Sequence, residues 1–210
     1  MDTGQDQAYI AGWLTAHDWR AFADQLAIDR GEERWRRAFD DYFMQRIDRR
    51  YLNPIAILQN EGTFVGEGFA IMAIQCSLIE FLESTVQGVR YRYPKRGEVL
   101  GAYEYSGSRD IFVNFLTERP PFSAEFDRGL ALEFYASIRC GMLHEAQTKN
   151  GWRIWAQSED GRMVDADMRV VFRNDFQRAL LAYVSWYKET LVRDSQFQDA
   201  FVRKFDSLST

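Results

Sequence analysis

Histidine and cysteine are scarce in this chain, with two of each in 210 residues. That count excludes a zinc centre built from several His and Cys ligands. It also excludes a disulfide-stapled scaffold, because two cysteines make one bridge at most. Any imidazole chemistry has to draw on His17 or His144. Lysine is scarce too: four of the 26 basic residues are Lys and the other 22 are Arg. Arginine makes two-pronged contacts with carboxylate and phosphate that lysine does not, although a GC-rich coding sequence produces the same bias. The net charge of −5 excludes bulk attraction to polyanions. There is no internal repeat and no low-complexity tract. The start, Met1-Asp2-Thr3-Gly4-Gln5-Asp6, lacks the basic and apolar segments of a signal peptide. The most apolar stretch, 64–82, carries Glu67, Gln75 and Glu80, which fits a core helix and not a membrane span. A cytoplasmic protein with reduced thiols and no membrane association is the expectation.

What is present is apolar and aromatic. Sixteen Phe, ten Tyr and six Trp in a chain that is 46% hydrophobic predict an aromatic core and not disorder. Helical periodicity dominates. Trp19, Phe22, Ala23 and Leu26 share a face over 18–28. Trp35, Phe39, Tyr42, Phe43 and Ile47 do the same over 32–51, with Pro54 as the expected stop. The stretch 63–87 is apolar nearly all round, as a central bundle helix is, with Gly88 available as its C-cap. A loop is expected over 88–107, then a short helix from Ser108, then a helix capped by Ser123 that carries Phe126, Leu130, Phe134 and Ile138. The pattern changes at Trp152-Arg153-Ile154-Trp155, which alternates like a strand. Asp160-Gly161 suits a hairpin turn, and Met163 to Phe172 supplies a return strand. Asn174 or Asp175 is the expected cap of a last long helix, and a short helix follows Asp194. The fold class read from this pattern is mainly α: a helical bundle with a β-hairpin, at about 152–172, inserted before the last long helix.

The densest chemical signal is Arg139-Cys140-Gly141-Met142-Leu143-His144. On an uninterrupted α-helix, five residue steps place Arg139 and His144 roughly 140° apart. Gly141 and the polar run after His144 predict a helix that ends or bends here. The two side chains suit RNA cleavage by 2′-hydroxyl attack. Histidine is the proton acceptor with a near-neutral pKa, arginine stabilises the charge that gathers on the phosphorane, and the 2′-hydroxyl as nucleophile needs no metal. Neither a metal nor another cofactor is expected.

Arg139-x4-His144 in an all-helical chain resembles the R-x4-6-H motif of the HEPN superfamily (higher eukaryotes and prokaryotes nucleotide-binding). The resemblance spans about 63–192 at fold level and two residues at motif level. It implies a HEPN-like bundle over 63–210, preceded by an N-terminal helical extension over 1–62. It further implies a metal-independent endoribonuclease of a toxin–antitoxin or antiviral defence type, acting as a homodimer, with an antitoxin or defence-system protein as possible partner. Arg139 would bind the scissile phosphate, and His144 would act as general base or acid. Glu80, from its place on the central helix, would orient Arg139. The chain departs from the family where Cys140 follows the Arg, a position often held by Asn, Asp or His. A non-catalytic assembly or RNA-binding module is therefore the alternative.

Other readings of the same residues stand beside this one. Arg139 in a buried ion pair with Glu80 or Glu83, and His144 as a helix terminus favoured by the dipole, would be structural only. Cys140 and His144 are one helical turn apart and would form a thiolate–imidazolium pair in a cysteine nucleophile. For RNA contact, Arg90, Arg92, Lys95 and Arg96 alternate with tyrosines as on a single-strand surface, and Lys149, Trp152 and Arg153 follow the motif closely. The arginines of 34–50 face acidic residues at helical spacing and read as a solvated face.

Overall fold

The structure is a computed structural model and describes residues 8–61 and 65–210. It is 66% helix and 8% strand, so the fold is mainly α. The first helix, α1 (Ala16–Ile28), starts where expected because Thr15 caps it. The Asp18 backbone N–H donates to the Thr15 hydroxyl, and the Asp18 carboxylate accepts from the Thr15 backbone N–H in return. The second, α2, spans 32–61 and is interrupted by two π-helical segments, Ala38–Met44 and Asp48–Leu52. Pro54 does not stop it. Proline comes just after the π-helical segment Asp48–Leu52, where the hydrogen-bond ladder is already irregular, and the helix runs on through Glu61. Next comes α3 (Glu67–Gln87); the part of the expected start at residues 62–64 lies outside the described residues. The helices α4 (Ser108–Glu118), α5 (128–145), α6 (Arg173–Arg193) and α7 (Ser195–Leu208) complete the set. Ser123 falls in a 3-10 turn, Phe122–Ala124, and Asp127 caps α5 in its place by accepting from the Leu130 N–H.

The strands are short: β1 (Tyr9–Ala11), β2 (Leu14–Thr15), β3 (Arg90–Tyr91), β4 (Glu104–Tyr105), β5 (Arg153–Trp155), β6 (Val164–Asp165) and β7 (Val170–Phe172). The expected hairpin is corrected in its pairing. β7 lies centrally, parallel to β5 (Ile154 opposite Val171) and antiparallel to β6 (Val164 opposite Val171). The tight turn is therefore at 166–169, where Arg169 takes φ +53°, and Asp160-Gly161 lies in a side loop. Ala156 and Met163 still accept from Asn174 and Phe172, and between them 157–162 leaves the sheet, held by a buried and a half-buried carboxylate. Asp175 accepts from the Ser158 N–H at 2.7 Å, and Glu125 accepts from the Met163 N–H at 2.8 Å.

The chain divides into two compact units, and the division differs from a cut near residue 62. The first comprises 1–53, 84–106 and 187–210; the second comprises 54–83 and 107–186. In the first unit Trp19, Trp35, Phe43, Tyr187 and Phe201 are fully buried. Trp19 Nε1 donates to Asp206 at 2.7 Å, which satisfies the indole within an apolar packing. Gly88 ends α3 with φ +65°, and a Cβ there would meet the Ala200 backbone at 2.7 Å, so both conformation and space call for glycine. In the second unit Phe115 packs on Tyr183 (4.8 Å), Phe122 on Phe176 (5.1 Å), and Phe134 stacks on Phe176 (5.7 Å). Among the described residues α3 is the one helix with the length and hydropathy to cross a bilayer, and 61% of its most apolar window is buried in the fold.

Candidate functional site

In the second unit, α5 carries the Arg139–His144 motif. A π-helical segment, Tyr135–Arg139, gives way at Cys140 to a last α-helical stretch, Cys140–Glu145. The helix then stops at Ala146, which takes the left-handed conformation (φ 53°) and donates its N–H back to Met142. Gly141 is buried because the returning chain crosses it. A Cβ at this position would lie 2.6 Å from the Gln147 carbonyl oxygen. The break expected near Gly141 therefore comes at Ala146, after the histidine, so Arg139 and His144 keep the α-helical separation of roughly 140°.

Arg139 turns inward against α3. Its guanidinium lies over the Tyr135 ring at 5.4 Å and donates to Glu80 Oε2 at 3.4 Å. Arg139 and Glu80 side chains are 19% and 24% exposed, so solvent and a ligand still reach them. Together with Ala73, Cys76, Ser77, Met142 and Leu143 they line a cavity of about 230 Å³. Cys76 is buried in its wall, and that burial pushes its thiol up to about 12. Burial also raises the Tyr135 phenol, which shares a hydrogen bond with Ser108 at 2.9 Å. His144 is exposed and is not part of the cavity lining; its neighbour Leu143 is 63% exposed. Glu83 does not pair with Arg139: both of its oxygens accept from Arg119, at 2.7 and 2.8 Å. Cys140 is half-buried, and no hydrogen bond joins it to His144 among the described residues.

The residues expected to touch RNA part company. Trp152 is 2% exposed, so it is not a stacking platform. Its indole N–H donates to Glu133 at 3.0 Å and its ring packs edge-on against Phe134. Lys149 pairs with Glu145 at 3.3 Å, one helical turn away. Arg153 is exposed, stacked over the Trp155 ring at 5.2 Å, and donates to the Met168 carbonyl. In the first unit, Arg90 and Arg92 are joined by a carboxylate that sequence reasoning missed. Glu104 accepts from Arg90 at 2.6 Å and from Arg92 at 3.0 Å, and Glu98 also accepts from Arg92. These donors, with the Gly101 N–H foremost, hold the Glu104 carboxyl down at about 2. Lys95 and Arg96 stay exposed at the turn. The loop is thus a built structure and not a bare cationic strand. The signal that would have found it is the carboxylate pair Glu98 and Glu104 within the same loop.

No group of three or more His, Cys, Asp or Glu side chains is set to hold a metal among the described residues. No family model, curated protein or solved structure matches the chain.

Proposed function

We propose that this chain is a HEPN-like, metal-independent endoribonuclease whose site is completed by a second copy of itself, in a cytoplasmic defence or toxin–antitoxin setting. The observation that carries the proposal is the setting of Arg139: a guanidinium oriented by Glu80 and Tyr135 at the edge of a cavity, with an exposed imidazole on the same short helix. Arg139 holds the non-bridging phosphate oxygens. The His144 imidazole of the other copy removes the 2′-hydroxyl proton. The 2′ oxygen bonds to phosphorus, the bond from phosphorus to the 5′ oxygen breaks, and the imidazolium returns the proton to that leaving oxygen. The products are a 2′,3′-cyclic phosphate and a 5′-hydroxyl. The test is cleavage of labelled RNA in EDTA. Wild type cuts and leaves cyclic phosphate ends, whereas His144→Ala and Arg139→Ala each lose about 10²-fold or more with an unchanged circular dichroism spectrum. Cleavage by His144→Ala at the wild-type rate overturns the assignment.

The contact between Arg139 and Glu80 favours a second reading. An arginine answered by a carboxylate on the same cavity wall already has a counter-charge, as in a non-catalytic HEPN-like module that assembles with a partner protein or RNA. Wild-type protein that cuts no RNA and binds a partner stably supports this reading over the first.

A further inference from the structure

A separate cavity of about 320 Å³ lies wholly within the first unit. Ala23, Leu26 and Ala27 of α1 line it together with Trp35 of α2 and Val202 and Arg203 of α7. Its size falls at the lower end of the range of about 300–1,000 Å³ typical of small-ligand sites. The wall is mostly aliphatic, yet it contains two donors that the fold leaves unanswered.

The first donor is the Trp35 indole. Trp35 is 0% exposed, and its Nε1 has no hydrogen-bond partner among the described residues. A buried indole N–H ordinarily finds an acceptor, as Trp19 in the same unit finds Asp206. The Trp35 ring is fixed by Phe201, edge-on at 6.2 Å, and by the Arg30 guanidinium over it at 5.4 Å. The second donor is Arg203 Nε, a buried atom that also lacks an acceptor among the described residues. The rest of the Arg203 guanidinium meets only uncharged groups there: the Gln87 carbonyl at 3.4 Å and the Tyr103 ring at 4.4 Å. Arg30 also lines the cavity, but Asp199 answers its charge at 2.7 Å. What remains open is therefore one indole N–H and one guanidinium N–H, with one positive charge. No lining residue has a buried acceptor without a partner. Desolvated donors are costly until an acceptor reaches them.

We infer that this cavity binds a small carboxylate with an apolar body. Its oxygens accept from Trp35 Nε1 and Arg203 Nε, and its hydrocarbon part lies against Ala23, Leu26 and Val202. Two donors match two carboxylate oxygens, and one unanswered guanidinium matches a single negative charge. A phosphate monoester carries more charge and more acceptors than this wall satisfies. The site belongs to the first unit and stands whether or not Arg139 and His144 cleave RNA.

Calorimetric titration of the full chain with hexanoate, hexan-1-ol and acetate tests the inference. Hexanoate binds about tenfold or more tightly than hexan-1-ol, which has the chain without the charge. It binds about a hundredfold more tightly than acetate, which has the charge without the chain. In a proton–nitrogen NMR spectrum, the indole N–H signal that Trp35→Phe removes moves downfield as hexanoate binds. Trp35→Phe and Arg203→Gln each weaken hexanoate about tenfold and narrow its margin over hexan-1-ol. Ala27→Phe, at an exposed helical position on the cavity wall, fills the space and abolishes binding of both. Thermal melts accompany the titrations, and if Trp35→Phe loses structure, Arg203→Gln and Ala27→Phe decide. Absence of saturable hexanoate binding leaves the cavity to water and overturns the inference. So does hexan-1-ol or acetate binding as tightly as hexanoate, or a Trp35 indole signal that stays in place at saturation.

Discussion

Glu83 is fully buried on α3, and both its oxygens accept from Arg119. A two-pronged pair of this kind is stable only while both partners are present, because either one alone is a desolvated charge. Glu83→Ala is therefore expected to cost about 3–5 kcal/mol in urea denaturation. Replacing both partners with apolar residues, as in Glu83→Leu with Arg119→Met, costs much less than the sum of the two single changes. Additive single losses would show that the pair does not act as a unit. Glu104 makes a different prediction, in pH. Hydrogen bonds from Gly101 and Arg90 first, then Arg92, pull its carboxyl from an ordinary 4.5 to about 2 in the folded chain. The folded value lies below the unfolded one, so on acidification the unfolded chain takes up the proton first. The loop clamp is then at full strength above pH 4.5, weakens between 4.5 and about 2, and is gone below that. A carbon-detected NMR titration of the Glu104 carboxyl is expected to place its midpoint near the lower value; a midpoint near 4.5 contradicts the clamp.

At the scale of elements, α5 shows what the sequence made legible. Phe134 and Ile138 are buried as their spacing required, Leu130 is only half-buried, and Phe126 is buried in the turn before the helix and not on it; Arg139 meets Glu80, the α3 residue expected to orient it. The π-helical segments were not legible. Each inserts a residue into the turn and shifts later side chains, and no residue type announces it. The hairpin was misplaced for a related reason: Asp160-Gly161 is a local signal, and the Glu125 and Asp175 carboxylates that override it act from distant points in the sequence. Trp152 was misread because a ring between basic residues looks like a stacking platform, whereas Glu133 and Phe134 give it a buried partner set. The end of α5 also carries a prediction. Gly141 lets the chain after His144 return across the helix, since a Cβ there would stand 2.6 Å from the Gln147 oxygen. Gly141→Ala forces backbone apart and is expected to lower stability by about 1–3 kcal/mol, read as a shift of the denaturation midpoint with an unchanged slope. A wild-type midpoint would show that the crossing accommodates a methyl group.

At the scale of the whole molecule, the division into units was not legible because three of its four borders, 53/54, 83/84 and 186/187, fall inside a helix, where composition gives no linker signal, and only 106/107 falls in a loop. Nor does one chain's sequence state how many copies act together. Arg139 and His144 leave one helix roughly 140° apart, and Arg139 turns inward to Glu80 while His144 is exposed, which favours a site shared between copies. If the proposed nuclease exists, each site takes Arg139 from one copy and His144 from another. The arginine-deficient and histidine-deficient variants are then each inactive for opposite reasons. Refolding Arg139→Ala and His144→Ala together in equal amounts makes half of the dimers mixed, and each mixed dimer holds one intact site of two. The mixture is expected to regain about a quarter of wild-type cleavage, as random pairing across a two-fold interface requires. Variants refolded separately and then assayed together without exchange stay inactive and serve as the control. A co-refolded mixture that also stays inactive, while each variant keeps a wild-type circular dichroism spectrum and sedimentation profile, rules out the shared site and leaves Arg139 answered by Glu80 within its own chain.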